Sequence, residues 1–571
     1  MRKKILTIDI ETGEEKDGLV KLDFSNNVIS IGIYDGSDFR CFDTFNGVVS
    51  YFESLAKTTN YFVYAHNGGK FDYKYLFRYL DNYSLCLNGG QFICARWKNI
   101  EFRDSLNLFK SSLKKASKAF GGGTEKDEFP IGVWSDKRRM LHYLFMDCKS
   151  LYDSLSGFAS VIDTIPEKLK LTVASTSYNE FRTSYGKNRF RIDFPSLHRS
   201  LYEKMIPAYF GGRVEIFRTE LRQGFGIDVN SLYPSVLSSM RYPVGYPFDV
   251  TKRSEDLLGI YQVEISGYND QSGIGQFPLR HDGKLLFPMG TFTTWITNAD
   301  IDYFDERVSK RLAVGTIKIL YGFEFVYGHP FASYIERLMH LKKQGGKDSG
   351  QYMMAKYLMN SLYGKFAQKP IQEDIQIVKD TSELNNYLGE GYAIVDDFSG
   401  VYWLSKESVQ DKTKYFPVAV FCTAYARLVL LESLHFFADR GFSVAYCDTD
   451  SIFIGIEAEK DLCDVPGGLH PTRLGAWDRE IDFHSGEFFL PKTYALYNEA
   501  GETIKLRAKG FPLRAIDGVQ SIFDGCEWKG VAGLKTALRG GDIIRSMTKK
   551  IRAVYDKREI LPDGNTAPIY F

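Results

Sequence analysis

The hydrophobic pattern of this chain changes period repeatedly along its length. It opens on KILTIDIE, where alternating apolar positions predict a strand. MLHYLFMDCKSLYDSL repeats apolar residues every three or four positions and predicts a helix. LHRSLYEKMIPAY predicts another helix, and GFGIDVN predicts a strand followed by a turn at YPS. QYMMAKYLMNSLYGKF is the clearest helix, with Met353, Met354, Tyr357, Leu358 and Leu362 as its packed side. Residues 370–413 are polar and predict an irregular segment. GFSVA and IFIGI flank YCDTDS and predict a β-hairpin with carboxylates at its tip. No repeat of 20–50 residues and no low-complexity tract is seen. The pattern predicts an α+β, multidomain chain, and 571 residues suit three or four domains of about 150 each.

Composition narrows the classes. Apolar residues make up 44% and charged residues 25%, an ordinary globular balance. No uninterrupted run of about 18 apolar residues is present, so no membrane partner is expected. The N-terminal residues lack the apolar core of a signal peptide. The eight cysteines form no CxxC or Cys/His cluster, which predicts a reducing compartment and no structural zinc. Net charge is +1, yet residues 491–571 carry 14 Lys/Arg against 9 Asp/Glu, a locally basic end.

Two sets of polar residues carry the candidate chemistry. Asp9 and Glu11 sit at i and i+2 on a strand and face the same way. Paired carboxylates are costly unless a cation neutralises them, and hard oxygen donors suit Mg²⁺ or Mn²⁺. AHNGGKFD adds Asp72 as a further ligand, with His66 and Asn67 suited to a phosphate or sugar. Tyr143 and Asp147 lie four apart on one helix face, so a tyrosine hydroxyl can orient a water beside a metal-holding carboxylate. In the second set Asp228 ends an apolar strand, and Asp448 and Asp450 straddle Thr449. Lys356, Asn360 and Tyr363 share one helix face, an ammonium, an amide and a ring beside Gly364. That face suits a triphosphate and a base. Two solvated turn aspartates would leave the buried-type runs around YCDTDS unexplained.

DIET, HNGGKFD and YLFMD resemble the three 3′–5′ exonuclease motifs of family B DNA polymerases. DVNSLYPS, KYLMNSLYGKF and YCDTDS resemble polymerase motifs A, B and C, in the family's order, and PKTY resembles its Lys-x-Tyr motif. AYFGG is similar to the Tyr-x-Gly-Gly motif of protein-primed members, and the spacing between motifs resembles the two insertions of the phi-29-like bacteriophage polymerases. The resemblance implies an RNase H-like exonuclease domain at 1–167 and a right-hand polymerase. Its palm would span 168–239 and 414–512, its fingers 339–369 and its thumb 513–571. Terminal-protein insertions would span 240–338 and 370–413.

The resemblance also implies roles. Asp9, Glu11, Asp72 and Asp147 would hold two Mg²⁺ or Mn²⁺ ions, Tyr143 would orient the water, and Lys126 in KDEF would stabilise the scissile phosphate. Thr12, His66, Asn67, Phe71, Ser105 and Leu106 would hold the frayed single-stranded 3′ end. Asp228, Val229 and Asp450 would hold the polymerase metals, two ions again, with Asp448 beside them. Tyr233 would exclude the ribose 2′-OH, Tyr363 would pack on the nascent base pair, and Lys356 and Asn360 would meet the dNTP. Lys492 and Tyr494 would hold the primer, and Tyr209, Gly211 and Gly212 the template. One departure is visible: three residues separate Asn67 from Phe71, where phi-29-like relatives often have two.

The implied partners are primer-template DNA, single-stranded DNA, dNTPs and a terminal protein that serves as primer. A phage-encoded monomer acting in the host cytoplasm is expected. Priming by a DNA or RNA oligonucleotide on the same fold stays open, because the primer is not in the chain. A nuclease with an inert second half, or a single-strand-binding protein, would not need both carboxylate sets.

Overall fold

The computed structural model describes residues 3–571 except 125, 127, 129, 130, 399 and 553. A twelve-stranded mixed sheet dominates the N-terminal part. Its centre is parallel: Lys4–Lys16 pairs with Tyr61–Ala65, which pairs with Ile100–Asp104. Central strands covered on both faces need continuous apolar runs, and YFVYA is buried at all of its positions. The helix Lys137–Val161 crosses Lys4–Lys16 and Val28–Tyr34. Its N-cap, Asp136, accepts from Arg138 N–H at 2.6 Å.

Residues 371–409 are regular, which corrects the expectation of an irregular segment. They form the strands Ile371–Val378, Ala393–Phe398 and Val401–Val409 and the helix Thr381–Gly389. Ile371–Val378 pairs with Tyr83–Asn88, so this insertion continues the N-terminal sheet at its edge. Only Ile375, Ile377, Val378, Trp403 and Leu404 are buried there among the apolar residues. A sheet edge solvated on most of one face reads as a polar segment, although IQIV keeps the alternation of a strand.

A second sheet has seven antiparallel strands, in the order Val214–Ile216, Val444–Asp448, Ser451–Gly455, Glu220–Val229, Trp477–Leu490, Thr493–Tyr497 and Thr503–Ala508. The helix Pro417–Ala438 lies within the main core. By length and composition it is apolar enough to cross a membrane, which the sequence reading did not register. Of its apolar window 89% is buried inside the protein, as in a core helix. The expected turn at YPS is instead a short helix, Leu232–Ser239. Pro234 fits because it sits in the first helical turn, where its missing N–H has no intrahelical partner to lose.

A four-stranded antiparallel sheet, ordered Tyr242–Val250, Ala313–Gly328, Leu258–Asp270 and Gly290–Thr297, carries the helix Asn298–Ser309. The helices Ala332–Gln344 and Gly350–Phe366 pack against each other and reach the helix Val173–Ser184. The last part of the chain ties the units together. The hairpin Cys526–Val531 with Ile544–Lys549 is held to the N-terminal unit, where Asn26 exchanges two hydrogen bonds with Ile544, at 2.8 and 2.9 Å. Arg539 meets Asp396 of the insertion at 2.7 Å. Phe571 exchanges backbone bonds with Met289 and Thr291 on the four-stranded sheet. All eight cysteines are free.

Gly157 shows how tightly the N-terminal helices pack. A Cβ there would lie 1.9 Å from the carbonyl oxygen of Phe120. In an open helix Gly→Ala gains about 1 kcal/mol. Here overpacking against backbone costs about 1–3 kcal/mol or more and reverses the sign. Gly157→Ala is expected to lower the thermal unfolding midpoint, read by near-UV circular dichroism.

Candidate active sites

The first site lies on the N-terminal sheet. Asp9 and Glu11 project from Lys4–Lys16, and Asp147 from the helix that crosses it. Ligand atoms of these three carboxylates all lie within 4.8 Å of one another. Asp72 starts the helix Asp72–Leu76, is buried, and accepts from Ile10 N–H at 3.1 Å. That bond ties it to the strand between Asp9 and Glu11.

Electrostatics follow from burial and crowding. Burial, then the Asp147 charge, pushes Glu11 up to about 8. Burial pushes Asp72 up to about 7. Asp9 lies well above the usual carboxylate range, through burial first and then Asp147, Glu11 and Asp72. Lys126 feels the opposite. Burial works against its charge, but Asp147 and Asp9 outweigh it and hold the ammonium protonated. Its Nζ donates to Asp147 Oδ2 and stands 4.9 Å over the Tyr143 ring. The rest of the KDEF match does not add to this, since Asp127 and Phe129 lie outside the described residues. Tyr143 is one helical turn before Asp147, and burial followed by Asp147 raises its hydroxyl.

Beside the carboxylates runs the loop His66–Phe71. His66 Nδ1 and Ser105 Oγ are 2.9 Å apart. Burial, then Lys126, pulls His66 down to about 4, so its ring is neutral at pH 7. Phe71 stacks on Phe24 at 5.7 Å. Thr12 is buried with its hydroxyl donated to Asp23 O at 2.7 Å. Asn67 has a left-handed φ of 64°. The loop is organised by Asp104, a residue sequence reasoning missed. Its Oδ1 accepts from Asn67 N–H and Leu106 N–H, both at 2.9 Å, and its Oδ2 from Gly69 N–H at 3.1 Å. The available signal was a carboxylate ending the strand IEFRD.

The second site lies on the seven-stranded sheet. Asp228 ends Glu220–Val229, and the hairpin of Val444–Asp448 and Ser451–Gly455 lies beside it with Asp228 opposite Ser451. Val229 N–H donates to Asp450 O at 2.7 Å, which locks the two motifs together. Thr449 turns the hairpin at φ 63° and donates its N–H to Arg213 O at 2.7 Å. Gly212 lies against it: a Cβ there would come 2.7 Å from Thr449 Oγ1. At Gly211 a Cβ would meet only open space. The YFGG backbone is fixed by Arg427, which donates to Phe210 O at 2.8 Å, and by Arg280, which donates to Tyr209 O at 2.9 Å.

Burial, then Asp450, pushes Asp228 up to about 8. Burial, then Asp448, pushes Asp450 up to about 6. Asp448 is turned to a different partner: Lys492 Nζ meets its two oxygens at 2.7 and 2.9 Å. Lys492 thus begins as a neighbour of the hairpin, and its N–H donates to Tyr446 Oη at 2.8 Å. Asp228 lines a cleft of about 160 Å³ with Glu480, Tyr494, Lys505 and Arg507. Glu480, absent from the sequence reading, raises both Asp228 and Asp450.

Tyr233 and Tyr363 stack at 4.3 Å and 18°. On the helix Gly350–Phe366, Lys356 and Asn360 are exposed and Tyr363 half-buried, as a ligand-facing side requires. Met354, Ala355, Leu358, Met359, Leu362 and Phe366 are buried. Met353 and Tyr357 are only half-buried, so the packed side is rotated slightly from the expected one. Burial and the nearby Lys356 charge lower Lys342, a second ammonium that sequence reasoning missed.

Comparison with known proteins agrees with this geometry. The profile of the family described as DNA polymerase type B, organellar and viral, matches residues 53–140 and 132–426. The DNA-directed DNA polymerase of Enterobacteria phage PRD1 is 29% identical over 89% of this chain and 86% of its own length. A probable DNA polymerase of Ascobolus immersus is 24% identical over 90% of this chain, which spans 48% of that longer protein. The structure of phi29 DNA polymerase with primer-template DNA and incoming nucleotide superimposes with a TM-score of 0.73, over 97% of this chain and all of that one, at 20% identity.

A pH dependence follows from the raised carboxylates. Groups with folded-state values above their unfolded ones bind more protons when folded, so stability falls as pH rises through the folded values. In a chelated sample, thermal stability is expected to fall between about pH 4 and pH 8, the window set by Asp72 and Glu11. Millimolar Mg²⁺ should restore it most at pH 8. Asp9→Asn/Glu11→Gln should flatten the part contributed by the first site, read by scanning calorimetry.

Proposed function

This chain belongs to the organellar and viral type B DNA polymerases, and from that premise we propose that it is a DNA-directed DNA polymerase with a 3′–5′ proofreading exonuclease. The fold is that of phi29 DNA polymerase, with exonuclease, palm, fingers and thumb. The observations that carry the reading are the bond from Val229 N–H to Asp450 O, which joins the strand end of Asp228 to the hairpin, the stacked Tyr233 and Tyr363, and a second carboxylate cluster on a separate sheet. We assign residues 1–167 to the exonuclease, 168–239 and 414–512 to the palm, 339–369 to the fingers and 513–571 to the thumb.

Both carboxylate sets fit divalent cations: hard oxygen donors, crowded until their own charges are disfavoured. Asp9, Glu11, Asp72 and Asp147 would hold two ions at one site; Asp228, Asp450 and the Val229 carbonyl would hold two at the other. Mg²⁺ or Mn²⁺ there supplies Lewis-acid polarisation of phosphate oxygens and neutralises charge that develops during displacement.

In synthesis a primer 3′-OH attacks the α-phosphate of a dNTP and pyrophosphate leaves. Lys356, with Lys342 beside it, holds the triphosphate, and Asn360 lines the same face. The Tyr233 ring occupies the space of a ribose 2′-OH, braced by Tyr363, which packs on the base pair. Lys492 and Tyr494 hold the primer, and Asp448 orients Lys492. Tyr209, Gly211 and Gly212 guide the template, and the approach of Gly212 to Thr449 links that backbone to the catalytic turn. In proofreading, Tyr143 orients the attacking water and Lys126 steadies the scissile phosphate. Thr12, His66, Asn67, Phe71, Ser105 and Leu106 receive the frayed end, and Asp104 holds their loop.

Initiation uses a Ser, Thr or Tyr hydroxyl of a terminal protein, docked by residues 240–338 and 370–413. The contact of Arg539 with Asp396 closes the second insertion against the thumb, which supports processive, strand-displacing synthesis by a monomer in the host cell that the phage infects.

The test is extension of a primed single-stranded circle with Mg²⁺ and dNTPs. Asp450→Ala is expected to lower extension about 10³-fold or more while 3′ degradation persists. Asp9→Ala/Glu11→Ala should abolish degradation and keep extension. A wild-type protein that only degrades the primer would sink the polymerase reading. Covalent transfer of a labelled dNMP to a co-purified protein tests protein priming against oligonucleotide priming.

A further inference from the structure

Three charged side chains lie buried behind the polymerase turn, and the chemistry above uses none of them. Glu215 is on Val214–Ile216, the edge strand of the seven-stranded sheet, and is paired with Cys447, the residue before Asp448. Arg213 precedes that strand, and its carbonyl oxygen is the acceptor that holds Thr449 at the hairpin tip. Arg558 comes from the segment assigned to the thumb and starts the strand Arg558–Ile560. All three are at most 4% exposed. None of them lines the cleft at Asp228.

The two guanidiniums enclose the one carboxylate. Arg213 Nε donates to Glu215 Oε2 at 2.6 Å, and its Nη1 donates to Gly275 O at 2.7 Å. Arg558 Nη1 stands 3.8 Å from Glu215 Oε1, in ion-pair range. Neither of those two atoms has a hydrogen-bond partner among the described residues. Arg558 Nε donates to Thr566 Oγ1 and its Nη2 to Gly273 O, both at 2.8 Å. Both arginines therefore reach the same short stretch, Gly273 to Gly275, in the first insertion. Three buried charges are a poor way to gain stability, since apolar packing of equal volume serves as well or better. What they add is direction, because a guanidinium presents its donors in a fixed plane.

The same thumb segment covers the open edge of the strand. An edge strand presents backbone N–H and C=O groups that no further strand takes. Here Ile216 N–H donates to Tyr555 Oη at 2.9 Å, and Lys557 Nζ donates to Val214 O at 3.2 Å. Thr566 donates its hydroxyl to Ile216 O at 2.8 Å and its N–H to Phe217 O at 2.9 Å. Val214–Ile216 is thus held from two sides, by the strand Val444–Asp448 on one and by residues 555–566 on the other. A continuous path of contacts runs from Arg558 through Glu215 and Arg213 to Thr449, the neighbour of Asp450.

We propose that Glu215 and Arg558 are positioning residues for nucleotidyl transfer, which seat the edge strand against the thumb segment and so fix the turn that carries Asp450. The inference rests on the polymerase reading of that site. Both residues act through Arg213 and the strand, and the metal-suited carboxylates are what they place. The other carboxylate cluster, Asp9, Glu11 and Asp147, belongs to a different sheet and its crossing helix. Its reaction therefore serves as an internal control in the same molecule.

The experiment uses the full chain and four variants: Glu215→Gln, Arg558→Met, Arg558→Lys and Tyr555→Phe. Single-nucleotide insertion on a primed template gives kcat, the dNTP KM and the Mg²⁺ concentration for half-maximal rate. Degradation of the 3′ end without dNTPs is followed in parallel. Glu215→Gln and Arg558→Met are expected to lower kcat by about 10- to 100-fold, the scale on which a displacement of about 1 Å acts on aligned reactants. Their Mg²⁺ midpoint should rise several-fold, while the dNTP KM and the degradation rate stay at wild-type values. Arg558→Lys keeps a cation near Glu215 and should recover part of kcat. Tyr555→Phe removes one hydroxyl from the strand edge, keeps the ring, and should show a smaller loss of the same kind. If Glu215→Gln and Arg558→Met lose degradation as well, they have lost the fold, and Tyr555→Phe decides. Wild-type kcat and Mg²⁺ midpoint in the folded variants overturn the proposal, as does an equal loss of insertion and degradation in Tyr555→Phe. A wild-type protein that degrades but never inserts counts against the polymerase reading instead.

Discussion

Mutual repulsion among half-buried and buried carboxylates is the constraint on which both sites depend. Asp9, Glu11 and Asp147 come within 4.8 Å of one another. Burial and Glu480 raise the cost of ionising both Asp228 and Asp450, with Asp450 adding to the first and Asp448 to the second. Left alone, such groups would protonate or splay apart. They stay because their backbones are fixed before the charges are considered. Asp9 and Glu11 belong to a strand flanked on both sides, and Asp147 to a helix whose start is capped and whose middle crosses that strand.

The second site reaches the same end by a different route. Its charges sit on a tight hairpin, where a single left-handed residue, Thr449, must be held in place. Arg213 O receives its N–H, Gly212 leaves room for its side chain, and Val229 N–H anchors the next residue's carbonyl. The backbone at Gly212 and Arg213, Asp228 and Asp450 are therefore joined through contacts of adjoining residues. Lys492 pairs with Asp448, whose charge still raises Asp450, and Asp228 faces the cleft with Glu480 nearby. Positioning of this kind, to within fractions of an ångström, is what two-ion displacement chemistry requires.

Much of this was legible in the chain, and what was not has physical causes. Strand-end carboxylates, the helical face of Lys356, Asn360 and Tyr363, and the hairpin at YCDTDS are local patterns, and local patterns survive in one dimension. Asp104 escaped because its work is to accept two backbone hydrogens, from Asn67 and Gly69, in a loop remote in sequence. Glu480 escaped for a similar reason: it reaches Asp228 only through strand pairing in the sheet. The segment 370–413 looked irregular because its strands add to an edge, where one face stays wet and the apolar positions are few. The helix Pro417–Ala438 is the reverse case. It is apolar all round because other elements surround it, and no periodicity marks a helix with no solvent face.

Net charge of +1 conceals a deliberate separation of sign. Acidic groups gather at two metal-suited sites, while the groove at the root of the second insertion is lined by cations without a carboxylate. A uniform mixture of the same residues would produce no field beyond a Debye length of about 8–10 Å. Segregated, each cluster keeps a local potential, and clefts between low-dielectric walls focus it. The acidic sites then repel phosphates until cations are bound, whereas the basic groove attracts them without any cofactor.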